Sequence, residues 1–177
     1  MLRNIKIYYV LLVVIVSCQH DTKKNITTTY KKQVSREDLI IPKDLDLYYH
    51  PKHLTVLDSA SIANAERKLY ISLDASCASC FDKVNFWSSQ EDLLRNHHIL
   101  PIIILRSKDK FRLFEFLCKK DKIYASSIPF FFDKKIAFEA ANEIGDAQIY
   151  TNRNNKVIQK LIISKEEELN EFLTTIK

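Results

Sequence analysis

Glycine is almost missing from this chain. Gly145 is the only one, and there are four prolines among 177 residues. So few turn formers exclude a many-turned all-β fold and favour helices around a modest sheet. A membrane-spanning run is missing too. The apolar stretch Ile7–Val16 is ten residues long, where a spanning helix needs about 20. A large charge excess is also lacking. The 27 Lys and Arg against 22 Asp and Glu leave a formal +5, which is mild and implies no nucleic-acid partner. Hydrophobic content of 46% and charged content of 28% are ordinary for a packed domain, and this length predicts one.

The N-terminus reads as a targeting segment. Arg3 and Lys6 precede the apolar run, as in a signal peptide. The run ends Ile15-Val-Ser-Cys18. A small residue before a cysteine, behind an aliphatic stretch, resembles the lipobox of bacterial lipoproteins. The bland alternative is a plain signal peptide or anchor helix with an incidental cysteine. The resemblance implies a signal peptide over 1–17 and acylation of Cys18. Cleavage there removes Arg3 and Lys6. From Gln19 to about Ile40 the chain is polar and aperiodic, with Lys23-Lys24 and Lys31-Lys32, and reads as a flexible tether. The expected organisation is a signal peptide (1–17), a lipidated tether (18–40) and one folded domain (41–177). Anchoring implies a membrane contact through lipid, with the domain facing the periplasm. Gln19 stands where an aspartate would signal inner-membrane retention, which favours the outer membrane.

Cys77-Ala-Ser-Cys80 is the motif that carries chemistry. It follows the apolar run Leu69–Leu73 and opens a helical pattern. Two cysteines three apart on a helix share a face, close enough for a disulfide. The first sits where orphan N–H groups and the helix dipole favour a thiolate. Cys77 is therefore the expected attacking sulfur and Cys80 the resolving one. Asp74, three residues earlier, is either a proton acceptor or a strand-end turn carboxylate. Rival readings are weaker. A structural disulfide across one turn stabilises little, because the loop is short. Zinc needs two more ligands, and His97-His98 lie at the far end of the same helix, so no metal site is expected. Haem attachment needs a histidine after the second cysteine, where Phe81 stands. With Cys18 taken by lipid, Cys77 pairs with Cys80, and Cys118 remains as an inert core thiol.

Downstream, Cys80, Val84, Trp87 and Leu94 form one predicted helix stripe. Ile99–Leu105 is a second buried strand, with Pro101 near its beginning. Ser107 is the predicted N-cap for a helix carrying Phe111, Phe114, Leu117 and Cys118. Ile128–Phe132 is a short strand. Asp133 caps the next helix, which stops at Gly145. Ala147–Thr151 and Lys156–Ile163 flank Asn152-Arg-Asn-Asn155 as an antiparallel hairpin. Ser164-Lys-Glu-Glu167 reads as a capping box for the last helix. Leu54–Leu57 is a candidate edge strand, and Ser59–Arg67 a short helical or irregular piece.

The order β–CxxC–α–β–α–β–α–β–β–α resembles the thioredoxin fold over about residues 54–177. More closely, it is similar to membrane-tethered thiol-disulfide proteins of the TlpA/ResA type. The resemblance implies an α/β protein with a central mixed sheet flanked by helices. It also implies a thiol-disulfide oxidoreductase that works on protein thiols or disulfides, takes electrons from a partner dithiol and needs no bound cofactor. The sequence departs from the family at three places. Ser76 replaces the tryptophan before the first cysteine. No proline stands near Asp146 or Ala147, where the family's cis-proline falls, and Pro129 is too early to serve. Ala78-Ser79 lies between the cysteines without proline or glycine. The missing proline favours the alternative function, a non-catalytic lipoprotein of this fold acting as a binding or assembly module.

Overall fold

Two buried runs make the centre of the sheet. The computed structural model describes residues 37–177 apart from 54–55, 108–110, 146 and 177. The expected signal peptide, Cys18 and most of the tether lie outside the described residues. In chain order the elements are β1 (Asp46–Tyr48), α1 (Ser59–Asn64), β2 (Arg67–Asp74), α2 (Ala78–Ser89), α3 (Glu91–Asn96) and β3 (Ile99–Arg106). They continue with α4 (Arg112–Lys119), β4 (Phe130–Asp133), α5 (Ala137–Asn142), β5 (Gln148–Asn152), β6 (Val157–Leu161) and α6 (Glu166–Thr175). Among the described residues the strands form one six-stranded sheet in the order β1-β4-β3-β2-β5-β6. β2, β3 and β4 are parallel to one another, whereas β1 pairs antiparallel with β4, β5 with β2, and β6 with β5.

β2 and β3 are buried on both faces, which is why their sequences read as continuous apolar runs. Leu69, Ile71 and Leu73 face one core with α2, α4 and α6. Tyr70, Ile102 and Ile104 face a second core with α1 and α5. Pro101 is the third residue of β3 and costs no ladder bond. Ile103 donates its N–H to Pro129 O at 3.1 Å. The alternating backbone therefore turns the missing N–H of Pro101 to the same side, below the first β3–β4 pair, Ile103 with Phe130.

Several expected boundaries shift. The long stripe helix breaks at Gln90 into α2 and α3. Ser89 Oγ donates to Phe86 O at 2.7 Å, and such back-bonding competes with the helix ladder. α4 begins at Arg112 rather than after Ser107. Its N-cap is Phe111, buried and stacked on Phe132 at 4.2 Å, so ring packing overrides capping preference. The edge strand is Asp46–Tyr48, not Leu54–Leu57: Val56 and Leu57 are in no strand, and 54–55 lie outside the described residues. The last capping box moves one residue on. Glu168 Oε2 accepts from Ser164 N at 2.7 Å and Lys165 N at 3.3 Å, so the N-cap is Lys165. α5 ends on Glu143, whose φ is 50°, and Gly145 has no positive φ. With a single glycine, left-handed backbone falls on His98, Phe111, Asp121, Ile136, Glu143 and Asn155 among the described residues.

Residues 37–40, expected to belong to the tether, dock onto the hairpin. Asp38 bridges antiparallel to Lys156. Val157 N donates to Glu37 O at 3.0 Å, and Leu39 N to Asn155 O at 2.9 Å. Leu39 is buried in the second core, which repays ordering this stretch.

Candidate redox site

The end of β2 delivers the motif to the surface. Ala75, fully buried, donates its N–H to Arg106 O at 2.8 Å. This extends the β2–β3 ladder one residue beyond the Asp74–Arg106 pair. Asp74 then accepts the Ser76 N–H through Oδ1 at 2.7 Å, the local bond of an Asx turn. That turn occupies one carboxylate oxygen, and it swings Cys77 to the N-cap of α2 in extended backbone (φ −135°, ψ 154°).

Cys77 and Cys80 are joined in a disulfide, with their Cα atoms 5.3 Å apart. Cys80 N donates to Cys77 O at 3.1 Å, starting the helix. Cys77 is exposed and Cys80 half-buried. Val84 and Trp87, one and two turns further along the same stripe, are fully buried. The pair thus straddles the rim of the core: one sulfur meets solvent and the other leans towards the apolar stripe. Ser79 Oγ lies 3.4 Å from Cys77 Sγ.

The electrostatics follow from the cap. The disulfide-bonded Cys77 side chain makes no capping hydrogen bond to the first N–H groups of α2. A reduced Cys77 sulfur stands in the N-cap position, where a side-chain acceptor satisfies those donors. Its thiolate is the species that the dipole and the orphan N–H groups stabilise, by about 0.3–1 kcal/mol from the dipole alone. Cys118 shows the opposite environment. It is fully buried on α4, and burial pushes its thiol up to about 12, so it is no nucleophile at neutral pH.

The other candidates fall away from the pair. His97 and His98 follow α3 at the far end of the α2–α3 stretch, and His97 Nδ1 lies 2.9 Å from Leu93 O. Among the described residues no group of three or more His, Cys, Asp or Glu is placed to hold a metal ion. One residue escaped sequence reasoning. Arg106 holds the loop before Cys77 through its carbonyl. Its guanidinium donates to Ser72 Oγ at 3.2 Å and pairs with Glu139 at 3.0 Å. Only the β2–β3 register brings it there, and no local pattern marks it.

On the other side of β2, β5 runs antiparallel, with Gln148 opposite Ile71. Ala147 therefore approaches the motif end of β2, at the place where the resemblance expects a proline. No cis peptide bond occurs among the described residues.

Solved structures share this arrangement of strands and helices. A thioredoxin-like protein solved in its oxidized form superposes with a TM-score of 0.52 at 15% identity. The match covers 80% of this chain and 98% of that one. The chain has a thioredoxin-like fold. The pneumococcal exposed lipoprotein thioredoxin of Streptococcus pneumoniae strain TIGR4 matches with a TM-score of 0.50 at 8% identity, over 66% of this chain and 89% of that one. The dsbF protein of MTB, in mixed oxidized and reduced forms, matches with a TM-score of 0.50 at 11% identity, over 64% and 82%. No family model matches the sequence, and no curated protein matches it. The thioredoxin-like architecture expected from the motif order is therefore present, with its mixed sheet flanked by helices.

Proposed function

We propose that this chain is a lipid-anchored thiol-disulfide oxidoreductase of the cell envelope, working through the Cys77–Cys80 dithiol. The observation that carries the reading is the position of the pair: an exposed cysteine at the N-cap of a helix, with its partner one turn deeper. In the reducing direction, the Cys77 thiolate attacks one sulfur of a substrate disulfide. The substrate S–S bond breaks, a Cys77–substrate disulfide forms, and the departing substrate thiolate takes a proton. Cys80 then loses its proton and attacks Cys77 Sγ, releasing the second substrate thiol. Two electrons move from the dithiol to the substrate, and the internal disulfide is the product. A partner dithiol restores the reduced state, and no bound cofactor takes part. Run backwards, the same steps oxidise a substrate dithiol.

The partners are protein thiols or disulfides. Anchoring through acylated Cys18, with the domain in the periplasm and the outer membrane favoured, rests on the Ser17-Cys18-Gln19 sequence. Asp74 accepts the Ser76 N–H through Oδ1, which fits the turn-carboxylate role rather than that of a proton acceptor.

A second reading has one observation in its favour. Neither Asp146 nor Ala147, near which the resembling family carries its cis-proline, is a proline, so the loop that contacts peptide in that family is altered. Under that reading the chain is a binding or assembly module of the same fold. Trapping separates the two. Cys80→Ala should accumulate mixed disulfides with partner proteins after acid quenching and non-reducing electrophoresis, and Cys77→Ala should accumulate few. If neither variant traps anything, and the reduced wild-type pair resists alkylation, the oxidoreductase reading is wrong. Replacement of Cys18 by Ala should abolish uptake of labelled fatty acid, and persistent labelling would refute the anchor.

A further inference from the structure

A second cavity lies on the sheet face opposite the dithiol helix, and its chemistry differs from that of the redox site. It measures about 230 Å³ and is walled by Leu45, Ile62, Ile102, Ile104 and Phe131. Ile41 and Pro42 add to these walls, and Lys68, Tyr70 and Asn155 also line it. Lys68 is the unusual member. It is 1% exposed, yet its ammonium donates only to neutral oxygens: Ala63 O, Arg153 O and Asn155 Oδ1, each at 2.9 Å. Among the described residues none offers it a carboxylate. Its hydrogen bonds are filled but its charge is not neutralised, and a buried charge without an opposite one is costly. Burial, followed by the nearby Arg153 charge, lowers its pKa. A nearby anion would offset both by favouring the charged ammonium.

One of the three acceptors belongs to a side chain rather than to the backbone. Asn155 Oδ1 also accepts from Tyr70 OH at 3.0 Å, so a single oxygen there serves two donors. A carboxylate oxygen in that place would receive the Lys68 N–H and the Tyr70 O–H together, and it would bring the missing negative charge. The remaining walls are aliphatic and aromatic. The volume of about 230 Å³ exceeds the roughly 150 Å³ that holds a benzene ring, and it falls short of the roughly 300 Å³ of drug-sized sites. We propose that this cavity binds a medium-chain aliphatic monocarboxylate, with the carboxylate on Lys68 and Tyr70 and the chain against Leu45, Ile62, Ile102 and Phe131.

The proposal does not depend on the redox reading, and its test is independent of the dithiol. Octanoate, octanol and octylammonium are titrated calorimetrically into the full chain and into Lys68→Met and Ile62→Phe variants. Lys68→Met removes the charge while keeping an apolar stem, and Ile62→Phe fills the cavity from α1. Octanoate should bind saturably at one site, at least tenfold more weakly to Lys68→Met, and not to folded Ile62→Phe. Octanol should show no such loss on Lys68→Met. Absence of octanoate binding to the wild type overturns the proposal, and so does equal octanoate affinity in a folded Lys68→Met variant. If Lys68→Met fails to fold, octanoate binding to folded Ile62→Phe overturns it. Octylammonium binding as tight as octanoate binding also overturns it.

Discussion

Cys77 and Cys118 are the same side chain in opposite settings, and the contrast organises the chemistry at the scale of single residues. Cys77 is exposed at a helix start, whereas Cys118 is fully buried and pushed up to about 12 by desolvation. Cys118→Ala should therefore leave the redox midpoint and the trapping pattern unchanged. In the native reduced protein, a thiol reagent should modify Cys77 first and Cys118 only after unfolding, as mass spectrometry of the labelled peptides will show. Much of this was legible in the sequence, because the motif and the apolar stripe after it are local patterns. Arg106 was not, because its place beside Asp74 depends on the register between two strands more than thirty residues apart. His50 was missed because its partner Ile123 lies 73 residues along the chain. It is buried, with Nε2 3.1 Å from Ile123 O and Nδ1 accepting from Lys52 N at 3.1 Å. That pattern needs a neutral ring carrying its proton on Nε2.

At the scale of elements, the secondary structures were legible and their ends were not. The hairpin β5–β6, the buried strands β2 and β3 and the terminal stripe Leu169-Phe172-Leu173 stand where periodicity puts them. The helix starts moved because packing outranks capping propensity. Phe111 and Ile136 accept left-handed backbone at N-cap positions, although neither has a capping side chain. Asp133 caps α5 from a distance instead. Its buried carboxylate accepts Ala137 N at 2.9 Å and Phe138 N at 2.8 Å. Replacing it with Ala leaves two donors without acceptors. Asp133→Ala should cost about 1–3 kcal/mol of stability in urea unfolding, with Trp87 fluorescence as the probe. A loss below a few tenths would show that water replaces the cap. The position of Gly145 was misread because glycine is only one way to reach positive φ, and Glu143 takes it here.

At the scale of the whole molecule, the sheet order 1-4-3-2-5-6 gathers the parallel strand ends and the start of β5 at the dithiol, and it leaves the opposite end to the loops that pack around His50. That end carries a pH dependence. Burial, the largest cause, lowers the His50 pKa from 6.5, so the folded state disfavours the imidazolium that the unfolded chain accepts. The stability contribution is present above the unfolded pKa and falls as pH drops from there through the lower folded value. Thermal melts between pH 7.5 and about 5 should therefore show a loss in the wild type that is smaller in His50→Gln. Equal slopes would remove His50 from the account.

The central claim is that the fold turns Cys77 into a thiolate nucleophile. The most direct measurement is the alkylation rate of Cys77 against pH, in a reduced Cys80→Ala, Cys118→Ala protein. The N-cap position of Cys77 predicts a rate midpoint clearly below the roughly 8.5 of a free cysteine. A midpoint at or above that value would contradict it and leave the exposed sulfur without the activation that thiol exchange requires.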